Sequence, residues 1–254
     1  MPLLYKACGL RREALHPSRE EEGMEVKLIA LTHYLNGAGP EQLLERAGRL
    51  CYGSLTCDTA RFVGARVREG HLSLIEHATA SFYIGGISRA TSHQLVRHRL
   101  ASFSQRSQRY TSEENARFVV PPSIAAHAEA SRVYTAFLEQ ARRAYKELRA
   151  LGIPKEDSRF VLPAATTTEL IMSFNFREAL HIFSLRISPK AQWEIREVAR
   201  RMLEELYPVA PAVFGDLRAK LMAAYPQFWE RPDAGATEGP PSRGTLRPRP
   251  GCRA

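Results

Sequence analysis

Cysteine is scarce in this chain of 254 residues, and Cys8, Cys51, Cys57 and Cys252 form no C-x-x-C pair and show no metal-ligand spacing. That removes disulfide scaffolds and zinc ribbons and leaves reduced thiols as the expectation. No apolar run approaches the roughly 18 residues of a membrane span, and the N-terminus lacks the apolar core of a signal peptide. The expected setting is the cytoplasm, with no membrane partner. A G-x-S-x-G elbow and internal repeats are missing as well. The most informative absence is acidic: no Asp or Glu lies between Glu76 and Glu113, while Arg89, Arg97, Arg99, Arg106 and Arg109 all fall inside that window.

What is present describes a globular protein. Hydrophobic residues make up 44% and charged residues 25%, enough for one sizeable core. The net charge of +9 calls for an anionic partner without saying which. Residues 231–254 hold five Arg against Asp233 and Glu238, so +3 belongs to this Pro- and Gly-rich tail, which is expected to be disordered. The body is only mildly basic, which weakens a nucleic-acid reading. Residues 1–23 read as a poorly ordered extension, and 24–230 as one domain.

Within that domain MEVKLIALT alternates Val26, Leu28 and Ala30 as a strand, and residues 40–52 place Leu43, Leu44, Ala47 and Leu50 on one side of a helix. ATASFYIGGI (78–87) is β-rich, with a bulge or bend expected at Gly85-Gly86. Ser88 would cap a helix running to Arg99, followed by a loop. Residues 127–150 form a long amphipathic helix, with Tyr134, Phe137, Leu138, Ala141, Tyr145 and Leu148 facing the core or a second subunit. TELIMSFN (168–175) reads as a buried strand, and Asn175 with Glu178 approaches a capping box for the next helix. Ser188-Pro189 would open a last long helix with Ile195, Val198, Met202 and Leu206 inward. The order of elements predicts an α+β fold, a mixed sheet packed with long amphipathic helices.

The stretch RHRLASFSQRSQRY (97–110) holds four arginines, a histidine, three serines and two glutamines. On a helix, Gln94, Arg97 and His98 would share one side. Guanidinium forks match phosphate oxygens bidentately, and the missing acids would leave those forks free. Three readings stay open on these grounds: a solvated basic face, a nucleic-acid groove, or a pocket for a small phosphorylated ligand. Ser107 reads as a hydrogen-bond donor rather than a nucleophile. His71, Ser73, Glu76 and His77 are poorly spaced for zinc and read either as polar residues at a strand entry or as a hydrogen-bonding wall of the same pocket. Arg177, His181 and Ser184 form a polar stripe, with Arg186 after it, and Arg159 stands alone before an apolar run.

Arg97-His98-Arg99, seven residues, Ser107 and then Arg109-Tyr110 resemble the signature of flavin-dependent thymidylate synthases. HLSLIEH, SRFVLP, NFREALHIFSLR and AQWEIRE follow the same family in order, so the resemblance covers Met24 to Glu230. It implies conversion of deoxyuridylate (dUMP) to thymidylate (dTMP), with methylenetetrahydrofolate as carbon donor, NADPH as reductant and FAD as cofactor, in a homotetramer with shared sites. By resemblance, Ser73, Arg97, His98, Arg99, Gln105, Asn175, Phe176, Arg177 and His181 would touch FAD. Gln94, Leu95, Val96, Arg97, Gln105, Arg106, Ser107, Gln108, Arg109, Arg159 and Arg186 would hold the nucleotide, and Arg186 would be catalytic. Gln105 stands where an acid can occur in the family, and His181 where Asn occurs. No enzyme nucleophile and no metal is implied. The rivals are a nucleic-acid-binding module built on arginines 97–109 and a flavoprotein that oxidises NADPH without methyl transfer.

Overall fold

The computed structural model of the chain describes residues 23–34, 37–53 and 58–230. The expected extension, but for Gly23, and the tail lie outside the described residues. Strands β1 (Glu25–Leu31), β2 (Thr79–Ser88), β3 (Ser102–Gln105) and β4 (Thr167–Asn175) form one sheet in the order β1-β2-β4-β3. Every pairing is antiparallel, which corrects the expected mixed sheet. A parallel neighbour needs a crossover that returns the chain to the end where the previous strand began. Here residues 89–166 leave β2 at Ser88 and come back to β4 at Thr167, which pairs with Ser88. The chain re-enters where it left and has to run the other way. The α+β class stands.

The core lies against one face of the sheet. In β4, Thr168, Leu170, Met172 and Phe174 are buried and their neighbours only partly so, which makes the strand one-sided rather than wholly buried. In β1 a register shift between Leu28 and Ala30 turns Ala30 outward, against the strict alternation read from the sequence. The irregularity expected at Gly85-Gly86 is present between Ile84 and Ile87. Gly86 has φ 67°, and a Cβ there would collide with the Gly23 carbonyl, so only glycine fits.

Around the sheet run α1 (Pro40–Tyr52), α2 (Thr59–Arg68), α3 (Arg89–Leu95), α4 (Pro122–Ala125), α5 (Ala128–Ala150), α6 (Lys155–Ser158), α7 (Phe176–Arg186), α8 (Trp193–Leu206) and α9 (Pro211–Ala224). Leu44 of α1 is fully buried, whereas Leu50 is 78% exposed and leaves the expected face. Along α5 Leu138, Ala141 and Tyr145 are buried but Phe137 is exposed. Ile195, Val198, Met202 and Leu206 of α8 are all inward, as their spacing predicts. That helix begins at Trp193, not at Ser188-Pro189, because the Gln192 side chain accepts from the backbone N–H groups of Glu194 and Ile195. Ser188 instead donates back to the Leu185 carbonyl at 3.4 Å. Phe214 of α9 packs edge-on to Phe176 and Phe183 of α7 at 5.0 and 5.9 Å, which seats α7 firmly on the core.

Candidate active site

Helix α3 carries the arginine signature at its exit, and its start is strongly held. The Ser88 hydroxyl accepts from Thr91 N–H at 3.1 Å, the cap expected from sequence. Behind it the buried carboxylate of Glu194 accepts from Ser88 N–H at 2.6 Å, Ser88 Oγ at 2.5 Å and Thr91 Oγ1 at 2.7 Å. A negative charge at a helix N-terminus is favourable, and here it spans two helices.

The helix stops at Leu95, not at Arg99. A tight turn follows, in which His98 N–H donates to the Leu95 carbonyl and Ala101 N–H to that of His98, both at 3.0 Å. Gln94, Arg97 and His98 therefore do not share a face: Arg97 is exposed while His98 is buried. The segment expected as a loop then enters β3, whose Ser102 pairs with Ser173 and Gln105 with Leu170.

Inside that turn His98 meets α7. Asn175 caps α7 by accepting from Glu178 N–H at 2.9 Å. The capping box does not close, because the Glu178 carboxylate reaches instead to 3.2 Å from His98 Nδ1. On the other side of the ring, Arg186 Nε donates to His98 Nε2 at 3.0 Å, and its Nη2 donates to the Gln94 carbonyl at 3.3 Å. An arginine N–H only donates, so Nε2 must be the acceptor and the imidazole proton sits on Nδ1, facing Glu178. Burial, with Arg186 and then His181 nearby, pushes the imidazole down to about 4 and keeps it neutral. Burial also raises the Glu178 carboxyl, opposed by His181.

A cleft of about 880 Å³ opens here, with Arg97, His98, Arg99, Arg177, His181 and Arg186 around apolar Leu180, Leu185 and Val213. His181 is exposed and lies edge-on to His98 at 5.8 Å. Arg177 is exposed and pairs with Glu76, from the 3-10 turn Leu74–His77 that follows exposed Ser73. The His98, Glu178 and His181 donor atoms lie within 4.8 Å of one another. Both nitrogens of His98 are already engaged, so His98 could ligate a cation only by giving up Arg186 or Glu178.

The remaining signature residues form a second cluster beyond β3. Four extended residues span roughly 13 Å at about 3.3 Å each, and Arg99 and Arg106, at either end of that span, line different clefts. Gln105 points inward, donating to Ser92 Oγ at 2.9 Å and Thr168 Oγ1 at 3.1 Å. The Ser107 hydroxyl accepts from Arg109 N–H at 3.2 Å, and its carbonyl accepts from Thr111 Oγ1 at 2.7 Å, folding the loop on itself. Arg109 pairs with Glu156 at 2.8 Å and Arg106 approaches Glu113 at 3.8 Å. Arg159 donates to the backbone carbonyl of Glu156, the residue whose carboxylate meets Arg109, at 3.0 Å. The forks expected to be free are thus partly engaged, by acids from outside the acid-free window. Gln108 is buried, and Val96 exposed. The side chains of Leu95 and Phe176 belong to the core, which leaves only their backbone for a ligand. Sequence reasoning missed Glu194 and saw Glu178 only as a cap. Both face partners some hundred or eighty residues away, and no local pattern reports such a pairing.

Residues 28–212 match the family model described as thymidylate synthase complementing protein. A flavin-dependent thymidylate synthase of Geobacter sulfurreducens is 44% identical over 189 residues, covering 70% of this chain and 82% of that protein. One from Mycobacterium sp. (strain JLS) is 39% identical over 231 residues, covering 78% and 91%. One from Mycobacterium tuberculosis is 37% identical over 234 residues, covering 80% and 94%. The chain belongs to the thymidylate synthase complementing protein family, the class that the resemblance implied.

Proposed function

We propose that this enzyme forms dTMP from dUMP by reductive methylation, with FAD bound, methylenetetrahydrofolate giving the carbon and NADPH the reducing equivalents. The observation that carries the reading is the setting of Arg186: a guanidinium fixed in a cleft by two neutral acceptors, His98 Nε2 and the Gln94 carbonyl. Held this way it keeps its full charge and leaves donors for a ligand. Placed at the N3/O2 edge of a uracil ring, Arg186 would stabilise the negative charge that develops as carbon 5 attacks the one-carbon unit. Arginine stays protonated at working pH, so it serves as a fixed electrostatic partner and not as a base.

The donor set also fits a flavin nucleotide. Leu180 and Leu185 offer apolar surface to a flat ring, and Arg97, Arg99 and Arg177 offer forks to a diphosphate. Ser73, His98, Gln105, Asn175, His181 and the backbone of Phe176 complete the FAD contacts in this reading. Bound flavin would supply the hydride that turns the transferred carbon into a methyl group. Gln94, the Leu95-Val96 backbone, Ser107, Gln108, Arg106, Arg109 and Arg159 would hold dUMP, chiefly its phosphate. Because β3 separates the two clusters, each complete site would take residues from more than one subunit, and a homotetramer provides that.

The test is a visible spectrum of the purified protein, repeated with dUMP, followed by chromatography for dTMP with folate and NADPH present. A flavin spectrum that shifts with dUMP, and dTMP formation, would support the reading. A protein that stays colourless when FAD is supplied, and binds oligonucleotides with an affinity falling steeply with salt, would replace it with the nucleic-acid module.

A further inference from the structure

We infer that Glu178 is a positioning residue for the reaction: its carboxylate holds His98 in the one tautomer that can accept from Arg186 and so aims the guanidinium into the cleft. The inference rests on the role proposed for Arg186 and adds a residue that the resemblance does not assign. A carboxylate in the first turn of a helix is ordinarily explained by the helix itself, through the terminal N–H groups. Glu178 departs from that pattern. Its backbone N–H is taken by the Asn175 cap, and its side chain leaves α7, is buried, and faces the ring of His98 at 3.2 Å. The same ring accepts from Arg186 at 3.0 Å. Glu178 lies in the first turn of α7 and Arg186 is its last residue. His98 therefore bridges the first turn of the helix to its last, from a separate element.

The geometry is strict because an imidazole has two nitrogens and, when neutral, one proton. With the proton on Nδ1, Nε2 is free to accept. With the proton on Nε2, an N–H would oppose the Arg186 N–H, and the guanidinium would have to swing away. A buried carboxylate accepts only and so selects the first arrangement. Carboxylates set histidine tautomers in this way in enzymes that use His as a base. Here the histidine transmits orientation, and the reacting group is the arginine.

The sharpest test is Glu178→Gln in the full-length protein with its flavin. A carboxamide presents N–H as well as oxygen, so it tolerates either tautomer with almost no change in volume. The expected result is a fall in kcat of tenfold or more, with KM for dUMP, flavin content and melting temperature close to wild type. Imidazole-¹⁵N histidine NMR, with the His98 signal identified by its loss in His98→Asn, should show Nδ1–H alone in the wild type and a share of Nε2–H in Glu178→Gln. Glu178→Asp keeps the charge and should recover a large part of kcat, and it also serves if the Gln variant fails to fold. An unchanged kcat, or a kcat loss that tracks flavin loss and melting temperature with the tautomer unmoved, would overturn the inference in favour of a structural carboxylate. Should the wild-type protein form no dTMP, the proposed function fails by itself. The tautomer spectrum still decides whether Glu178 sets His98.

Discussion

Arg186 and Arg109 are both proposed to serve one nucleotide, yet the fold holds them in opposite ways. Arg186 rests on neutral acceptors, a histidine nitrogen and a backbone carbonyl, and no carboxylate among the described residues forms an ion pair with it. Arg109 is fully at the surface and already paired with Glu156 at 2.8 Å. The first arrangement preserves positive charge in a partly dry cleft, where a developing negative charge feels it most. The second masks charge until a stronger anion arrives, and a phosphate can take over the fork with little cost in water. A residue that must act on a transition state is kept unneutralised, whereas one that must capture and release a substrate can afford a resident partner.

The comparison breaks most visibly at Arg186. Arg186→Ala should lower dTMP formation by at least about 10²–10³-fold while FAD stays largely bound, as stopped turnover and absorbance would show. Wild-type turnover in that variant would sink the role given to Arg186. Next in size is the scaffold beneath both clusters: Glu194→Ala strands Ser88 and Thr91 donors in the core and should cost about 2–4 kcal/mol in a denaturant titration. The buried end should also show in the pH dependence of stability. Unfolded His98 takes a proton below about 6.5 and the folded form only near about 4, so between these values the unfolded state binds more protons and stability falls as pH falls. That part of the slope should vanish in His98→Asn. At the exposed end, Arg109→Ala should raise KM for dUMP by about tenfold with kcat and melting temperature little changed, because surface pairs contribute little to folding. Smallest of all is removal of residues 231–254, which should leave turnover intact in the same assay.

Much of this was legible in the sequence, and what was not has a common physical origin. Ser88, Asn175 and the inward face of α8 obey rules that operate within a few residues, and the structure bears them out. The family signature placed the arginines in order along the chain. Strand direction was not readable, because it depends on where a 78-residue excursion from 89 to 166 returns. The true start of α8 was hidden because Ser188-Pro189 carries the local signs of a cap while Gln192, with a less usual side chain for the task, performs it. The engagement of Arg109 by Glu156 and of Arg177 by Glu76 escaped for the same reason: the partners are 47 and 101 residues apart. An acid-free window in sequence does not make an acid-free surface.

The position of β3 has one more consequence. It is an outer strand of the sheet, with one side paired to β4, and an unpaired strand edge invites another chain to add to it. Only four residues long, rich in Ser and Gln and bracketed by Arg99 and Arg106, it makes a poor template for such stacking. The arginines proposed to hold nucleotides would thereby also act as gatekeepers of colloidal behaviour. Replacing them with apolar residues would expose the protein to self-association, apart from any effect on the proposed reaction.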